Sequence, residues 1–199
     1  MLKLSSINTL LFLILYFTAC NNGGSKVQSK TDTLSNTHND SLMLKPDFML
    51  QPGEAAGKIK LGEDTELLFQ EMGRPDSSDA AMQKMVAFWY EGNDRTKYST
   101  AIYASRDTGD MPKSRVKQIR VTAPNFKTAN GVGIGSILDK LKEAFTLSQI
   151  KFNKDTSRLP QVWDSKDGIA FEIDSQHKCS AVIIHQKDEE LKPTYLPLR

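Results

Sequence analysis

Ile59-Lys60-Leu61-Gly62 and Val132-Gly133-Ile134-Gly135 open two stretches that match each other in order and spacing. Leu68 and Leu141 stand at equal distances beyond Gly62 and Gly135, and so do Met72 and Phe145. Trp89 and Trp163 follow, in register to within one residue. Leu68 with Met72, and Leu141 with Phe145, have the spacing that puts two side chains on one helix face. Several matches in order point to a duplicated unit.

Local signals fill in each unit. In the first, Asp64 or Thr65 can cap a helix striped by Leu67, Leu68 and Met72, and Gly73 followed by Pro75 ends it. In the second, Ser136 and Asp139 approximate a capping box ahead of Leu138, Leu141, Ala144 and Phe145. Aromatic and branched runs predict strands over 84–90, 98–104 and 117–122, and again near 160–164, 169–174 and 179–185. Ile169, Phe171 and Ile173 alternate with Ala170, Glu172 and Asp174, and Asp167-Gly168 is a hairpin signal. The expected fold is therefore α+β: two tandem units, each a short helix packed on a three- to four-stranded antiparallel sheet. Unit 1 spans 55–125, unit 2 spans 126–187, and 188–199 form a tail.

The amino-terminal end reads differently. Lys3 precedes an unbroken apolar run, Leu10 to Phe17, and small Thr18 and Ala19 stand before Cys20. This is the layout of a secretory signal over 1–19, and the run is too short for a membrane span, which needs about 20 residues. After Cys20, residues 21–41 are, His38 apart, Asn, Gly, Ser, Thr, Lys, Gln and Asp with almost no apolar member beyond Val27 and Leu34, and 20–41 are taken together. Such a composition predicts a disordered tether, with a reach of about 25 Å. Residues 42–54, with Leu42, Leu44, Phe48 and Leu50 around Pro46, are expected to form an irregular arm.

Two resemblances follow from these residues. Phe17-Thr18-Ala19-Cys20 resembles the lipobox of bacterial lipoprotein signals, with Phe17 where leucine is commonest. That resemblance implies cleavage before Cys20, a diacylglyceryl group on its thiol and fatty acylation of the new amino terminus, so that membrane lipid is held through Cys20. Several acyl chains on one residue give stable anchoring. The second resemblance rests on Ile59-Lys60-Leu61-Gly62, Leu68, Gly73-Arg74-Pro75 and Phe88-Trp89-Tyr90. These look like the repeat of the β-lactamase-inhibitor-protein family, shared by small outer-membrane lipoproteins that assist assembly of β-barrel proteins. Thr128 to Ser136 resembles a stretch common in exported bacterial proteins. The likeness covers 55–187, and unit 2 departs from it at Phe145-Thr146-Leu147, where the Gly-x-Pro stop is absent. It implies protein binding without catalysis.

No residue set points to chemistry. Gly131-x-Gly133-x-Gly135-Ser136 lacks both the third glycine of a dinucleotide loop and the lysine of a nucleotide loop. Asp107-Thr108-Gly109 is a single copy of a triplet that aspartic proteases use in pairs. His177, Cys179 and His185 share a parity, but an extended strand separates the histidines by over about 25 Å. His38 lies in the tether, so no metal site, cofactor or catalytic residue is expected. If Cys20 is lipidated, Cys179 is left without a partner in the chain and is expected to be buried. The 26 Lys and Arg against 24 Asp and Glu leave no strong basic excess of the kind nucleic acid binding needs. Trp89 and Trp163 are the candidate partner-binding residues. If Phe88 and Val162 face the helices, the indoles face away, where tryptophan is a frequent anchor. The reading is a lipid-anchored envelope lipoprotein, at the outer membrane facing the periplasm, that binds another envelope protein without catalysis. The alternatives are an enzyme or inhibitor acting on envelope material, or a purely structural lipoprotein.

Overall fold

A computed structural model gives the structure of the protein and describes residues 45–151 and 160–191. Cys20, the signal segment and the tether lie outside the described residues. In chain order the elements are β1 (Met49–Gln51), β2 (Ala55–Ala56), β3 (Ile59–Lys60), α1 (Thr65–Met72), β4 (Ser77–Ala81), β5 (Lys84–Tyr90), β6 (Ser99–Arg106) and β7 (Ser114–Val121). After these come β8 (Lys127–Thr128), α2 (Leu138–Ala144), β9 (Ser148–Ile150), β10 (Gln161–Ser165), β11 (Ile169–Ile173) and β12 (Cys179–His185).

The expected pair of separate helix-on-sheet units is not what forms. The described fold is mostly β, with two helices and two sheets. One sheet has eight strands in the order β4-β5-β6-β7-β12-β11-β10-β9, and the other has four in the order β3-β2-β1-β8. The large sheet reads the same from either edge, each half descending from a helix, and β7 and β12 join at its centre. Their antiparallel register pairs Val182 with Val121, Ile183 with Arg120, Ile184 with Ile119 and His185 with Gln118. The reason is burial. The inner strand of each half is almost wholly apolar on one face and buried along most of its length. Left as edges, β7 and β12 would each expose a long row of unpaired amides and carbonyls, and pairing them removes both liabilities.

Two helices of 8 and 7 residues are also too small to cover such a sheet. The four-stranded sheet fills the gap. Within the arm, Met49–Gln51 form a strand: Leu50 of β1 pairs in parallel with Thr128 of β8 and antiparallel with Ala56 of β2. Leu50, Ala56 and Ile59 from this sheet, Leu68 from α1 and Leu138 and Leu141 from α2 join one buried cluster with Ile102, Val116, Ile119, Phe171, Val182 and Ile184. Met72 and Phe145 are only partly buried at its margin, because both sit at helix ends and not beneath the helix.

The helix termini divide in the same way. Asp64 caps α1, its carboxylate accepting from the Glu66 amide at 3.0 Å, and Gly73 closes the helix at φ +80°. The Lys113 ammonium, 3.0 Å away, and then the Glu66 amide hold the Asp64 carboxyl below the usual carboxylate range. The capping box expected at Ser136 does not form. Ile137 is the N-cap and gives no side-chain bond. Ser136 Oγ instead accepts from the Gly133 amide at 3.1 Å, and the Leu138 amide donates to the His177 carbonyl at 3.0 Å. A tertiary carbonyl instead satisfies one of the orphan donors at the helix start. Gly133 is needed for contact: a Cβ there would lie 2.5 Å from the Phe126 carbonyl oxygen.

Leu141→Ala should lower unfolding free energy by about 2–5 kcal/mol in a denaturant titration, since the side chain is fully buried beneath α2. Gly133→Ala should be similarly costly, while Gly131→Ala, with open space around its Cβ, should cost only the strain of its backbone angle, about 1 kcal/mol.

Candidate functional site

The two tryptophans lie on the helix side of the large sheet. Met85, Ala87 and Trp89 of β5 face the main cluster, whereas Val86 and Phe88 face the other way with Ala101 and Tyr103. On β10, Trp163 faces the main cluster, and Val162 packs opposite with Ala170, Ile183 and Leu191. The parity is thus the reverse of the one read from the sequence, where Phe88 and Val162 were set toward the helices. Both indoles are half-buried. The Trp89 Nε1–H donates to the Gly73 carbonyl at 3.1 Å, satisfying an orphan acceptor past the end of α1. Its ring lies 5.8 Å from that of Phe69. Trp163 carries the Lys142 ammonium 4.2 Å above its ring, a cation–π contact that ties α2 to β10. Trp89 and Trp163 seal helix–sheet seams.

The face away from the helices carries the polar features. Arg120 of β7 and Glu172 of β11 meet across β12, with Nε to Oε1 and Nη2 to Oε2 both 2.7 Å. Glu172 pairs in register with Ala181 of the intervening strand, and that small side chain leaves room for the guanidinium to pass. Glu172 is 0% exposed and Arg120 6%. A buried pair with this bidentate geometry fixes the position of the guanidinium, and losing one partner leaves a charge without compensation.

Arg120 also lines a cleft of about 550 Å³. Phe88 and Tyr90 of β5 form one side, their rings parallel to within 5° and 6.2 Å apart. The loop between β5 and β6 forms the other, with Arg95, Lys97 and Tyr98. That loop is held rigidly by acidic side chains. Asp76 accepts from the Tyr90 amide at 2.7 Å and from Asn93 Nδ2 at 2.7 Å. Asp94 accepts from both the amide and the hydroxyl of Thr96, at 2.9 and 2.8 Å, and these bonds hold its carboxyl below the usual range. Tyr98 remains 48% exposed at the rim.

The remaining sequence candidates do not converge. Cys179 is buried, and desolvation pushes its thiol up to about 12. His177 is exposed in the turn before β12, while His185 is buried at the far end of that strand, with Nε2 2.8 Å from Asp164. A bulge at Glu172/Ile173 shifts the register between Cys179 and the rest of β12, and so Cys179 faces the main cluster and not the side of His185. Asp107 is held in ion pairs by Arg115 at 3.1 Å and Lys117 at 3.5 Å. The glycine loop is pinned to β12 by the Gly135 amide on the Cys179 carbonyl at 2.7 Å. Among the described residues no group of three or more His, Cys, Asp and Glu could hold a metal ion, and no helix is long and apolar enough to cross a membrane.

No protein-family model matches the chain, and no curated protein matches it. Among solved structures it is similar to an extracellular protein containing an SCP domain from Bacillus anthracis str. Ames, at 14% identity and a TM-score of 0.44. The match covers 85% of this chain and 57% of that one, so the chain spans little more than half the length of its structural neighbour.

The sequence held faint traces of the cleft. Gln118-Ile119-Arg120-Val121 and Phe171-Glu172-Ile173 each put one charge inside an apolar strand. Opposite charges in two buried strands are the mark of a pair, but strand order alone brings them together. Glu172→Ala should unfold the protein about 3–5 kcal/mol more readily, as read by chemical denaturation. Cys179 should react with a thiol reagent at pH 8 only after unfolding, and rapid modification of the folded protein would contradict its burial.

Proposed function

We propose that the protein is a lipid-anchored envelope lipoprotein, held through Cys20 at the outer membrane facing the periplasm, whose folded part binds another envelope protein without catalysis. The observation that carries the binding half is the cleft on the side of the large sheet away from the helices. Rings of Phe88, Tyr90 and Tyr98 stand beside Arg95, Lys97 and Arg120 there. Tyrosine and arginine are enriched among residues that dominate protein interfaces. The anchoring half is supported by the apolar run before Thr18-Ala19-Cys20 and by the polar stretch that follows it. A tether of that composition lets a small domain sample partners near the surface that holds it. Trp89 and Trp163 are not needed for this reading. Their indoles are engaged at helix–sheet seams, and the binding surface moves to the opposite face.

Two measurements test the two halves separately. Cys20→Ala should abolish incorporation of a fatty-acid probe, and continued labelling of that variant would sink the lipoprotein reading. A photo-crosslinking amino acid placed at Tyr98 in the anchored protein should give one discrete adduct in its own envelope, and the same group at Leu67, exposed on α1, should not. Equal adducts from both positions would remove the support for the cleft face.

A further inference from the structure

We propose that this cleft accepts a carboxylate set next to an apolar side chain, supplied by an acidic segment of the partner protein; the proposal rests on the binding reading above. Charge in the lining decides the match. Three hydroxyls in the lining are already committed as donors: Thr96 to Asp94, Thr122 to the Ser99 carbonyl at 3.3 Å, and Ser180 to the Glu172 carbonyl at 3.2 Å. Arg120 has committed Nε and Nη2 to Glu172, and no acceptor among the described residues meets Nη1. Arg95 and Lys97 form no ion pair among the described residues. Glu91 is the one carboxylate in the lining. The hydroxyls of Tyr90, Tyr98 and Ser99 can donate or accept, and the charged groups free to meet a ligand, Arg95 and Lys97 with Nη1 of Arg120 against the single carboxylate of Glu91, give the cleft a net positive charge.

A ligand that matches such a lining accepts and does not donate. A carboxylate is acceptor-only when ionised, and arginine is the side chain suited to it. A neutral saccharide is a poorer match, because it would leave the positive charge of Arg95 and Lys97 uncompensated. The parallel rings of Phe88 and Tyr90, with Tyr98 at the rim, supply apolar area that an isolated carboxylate leaves unused. An acidic residue flanked by an aromatic or aliphatic one uses both. Arg120 needs no reorganisation to take part, since Glu172 already holds its guanidinium in place. Such preorganisation lowers the ordering cost of binding.

The test uses purified full-length protein in neutral detergent at physiological ionic strength. The probes are a glutamate–tyrosine copolymer, a lysine–tyrosine copolymer and polygalacturonate. The glutamate–tyrosine copolymer should bind and the lysine–tyrosine copolymer should not. Binding should fall by about tenfold or more in Tyr98→Ala and in the double variant Arg95→Gln with Lys97→Gln. Lys140→Glu, on the exposed face of α2, should leave it within about twofold, as expected for a charge outside the contact. Thermal melts of all variants should match the parent, because every substituted side chain is exposed. Equal loss in Lys140→Glu would show general charge attraction and overturn the proposal. Tighter binding of polygalacturonate would assign the cleft to an acidic glycan and overturn it too. If neither acidic probe binds while the Tyr98 adduct persists in the envelope, the ligand chemistry is wrong and the binding reading stands. If the adduct is also lost, both fall.

Discussion

The antiparallel ladder between β7 and β12 is the contact on which the rest of the molecule depends. It joins two strands from opposite halves of the chain, Ser114–Val121 and Cys179–His185. It also places Val116, Ile119 and Val121 beside Val182 and Ile184 on one side. On the other side it sets Arg120 within reach of Glu172. Neither half could stop at its inner strand, because each would then present an apolar edge to water. Once the ladder exists, the helix side becomes a single broad apolar floor. Two short helices cannot cover it, and the four-stranded sheet built from the arm and from residues beside Phe126 closes the centre. Burying one large side chain in such a floor contributes about 1.5–3 kcal/mol, and the main cluster draws on both helices, the small sheet and the inner strands of the large one.

The same contact explains why polar residues gather on one face. Covering the helix side consumes the helices, the small sheet and both indoles. On the far side, Leu191 covers the second half, packing on Val162, Ala170 and Ile183. The first half has aromatic rings at corresponding places and a rigid loop of its own, and the cleft opens between them. Its chemistry follows from strand order. Arg120 and Glu172 are far apart in the sequence, and the small Ala181 between them allows the pair to close. A buried pair of this kind fixes a guanidinium where a flexible surface arginine would not hold still.

Much of the local structure could be read from the chain. The aromatic run predicted a strand over 84–90, and β5 occupies it; Cys179 to His185 likewise coincides with β12. The cap at Asp64 and the stop at Gly73 are short-range effects, set within a few residues. The edge strands β4 and β9 were not legible. Ser77-Ser78-Asp79-Ala80-Ala81 has little strand propensity of its own, and pairing with β5 recruits it. The Ser136 box failed for the converse reason, because the Ser136 hydroxyl turns to the Gly133 amide and a carbonyl from elsewhere in the fold, that of His177, meets the start of α2.

What the sequence by itself determined is periodicity and local chemistry: where both helices and the inner strands lie, that Cys179 begins an apolar run, and that matching leucines sit under matching helices. Which face of β5 and β10 turns inward was decided only in three dimensions. Phe88 and Trp89 are both large and apolar, so the alternation has two equally good phases, and burial beneath α1 selects one of them. The placement of Arg95, Lys97, Tyr98 and Arg120 around one cleft was decided there as well. It depends on β7 pairing with β12 and not standing as an edge, a choice made by the free energy of the whole sheet and by no segment alone.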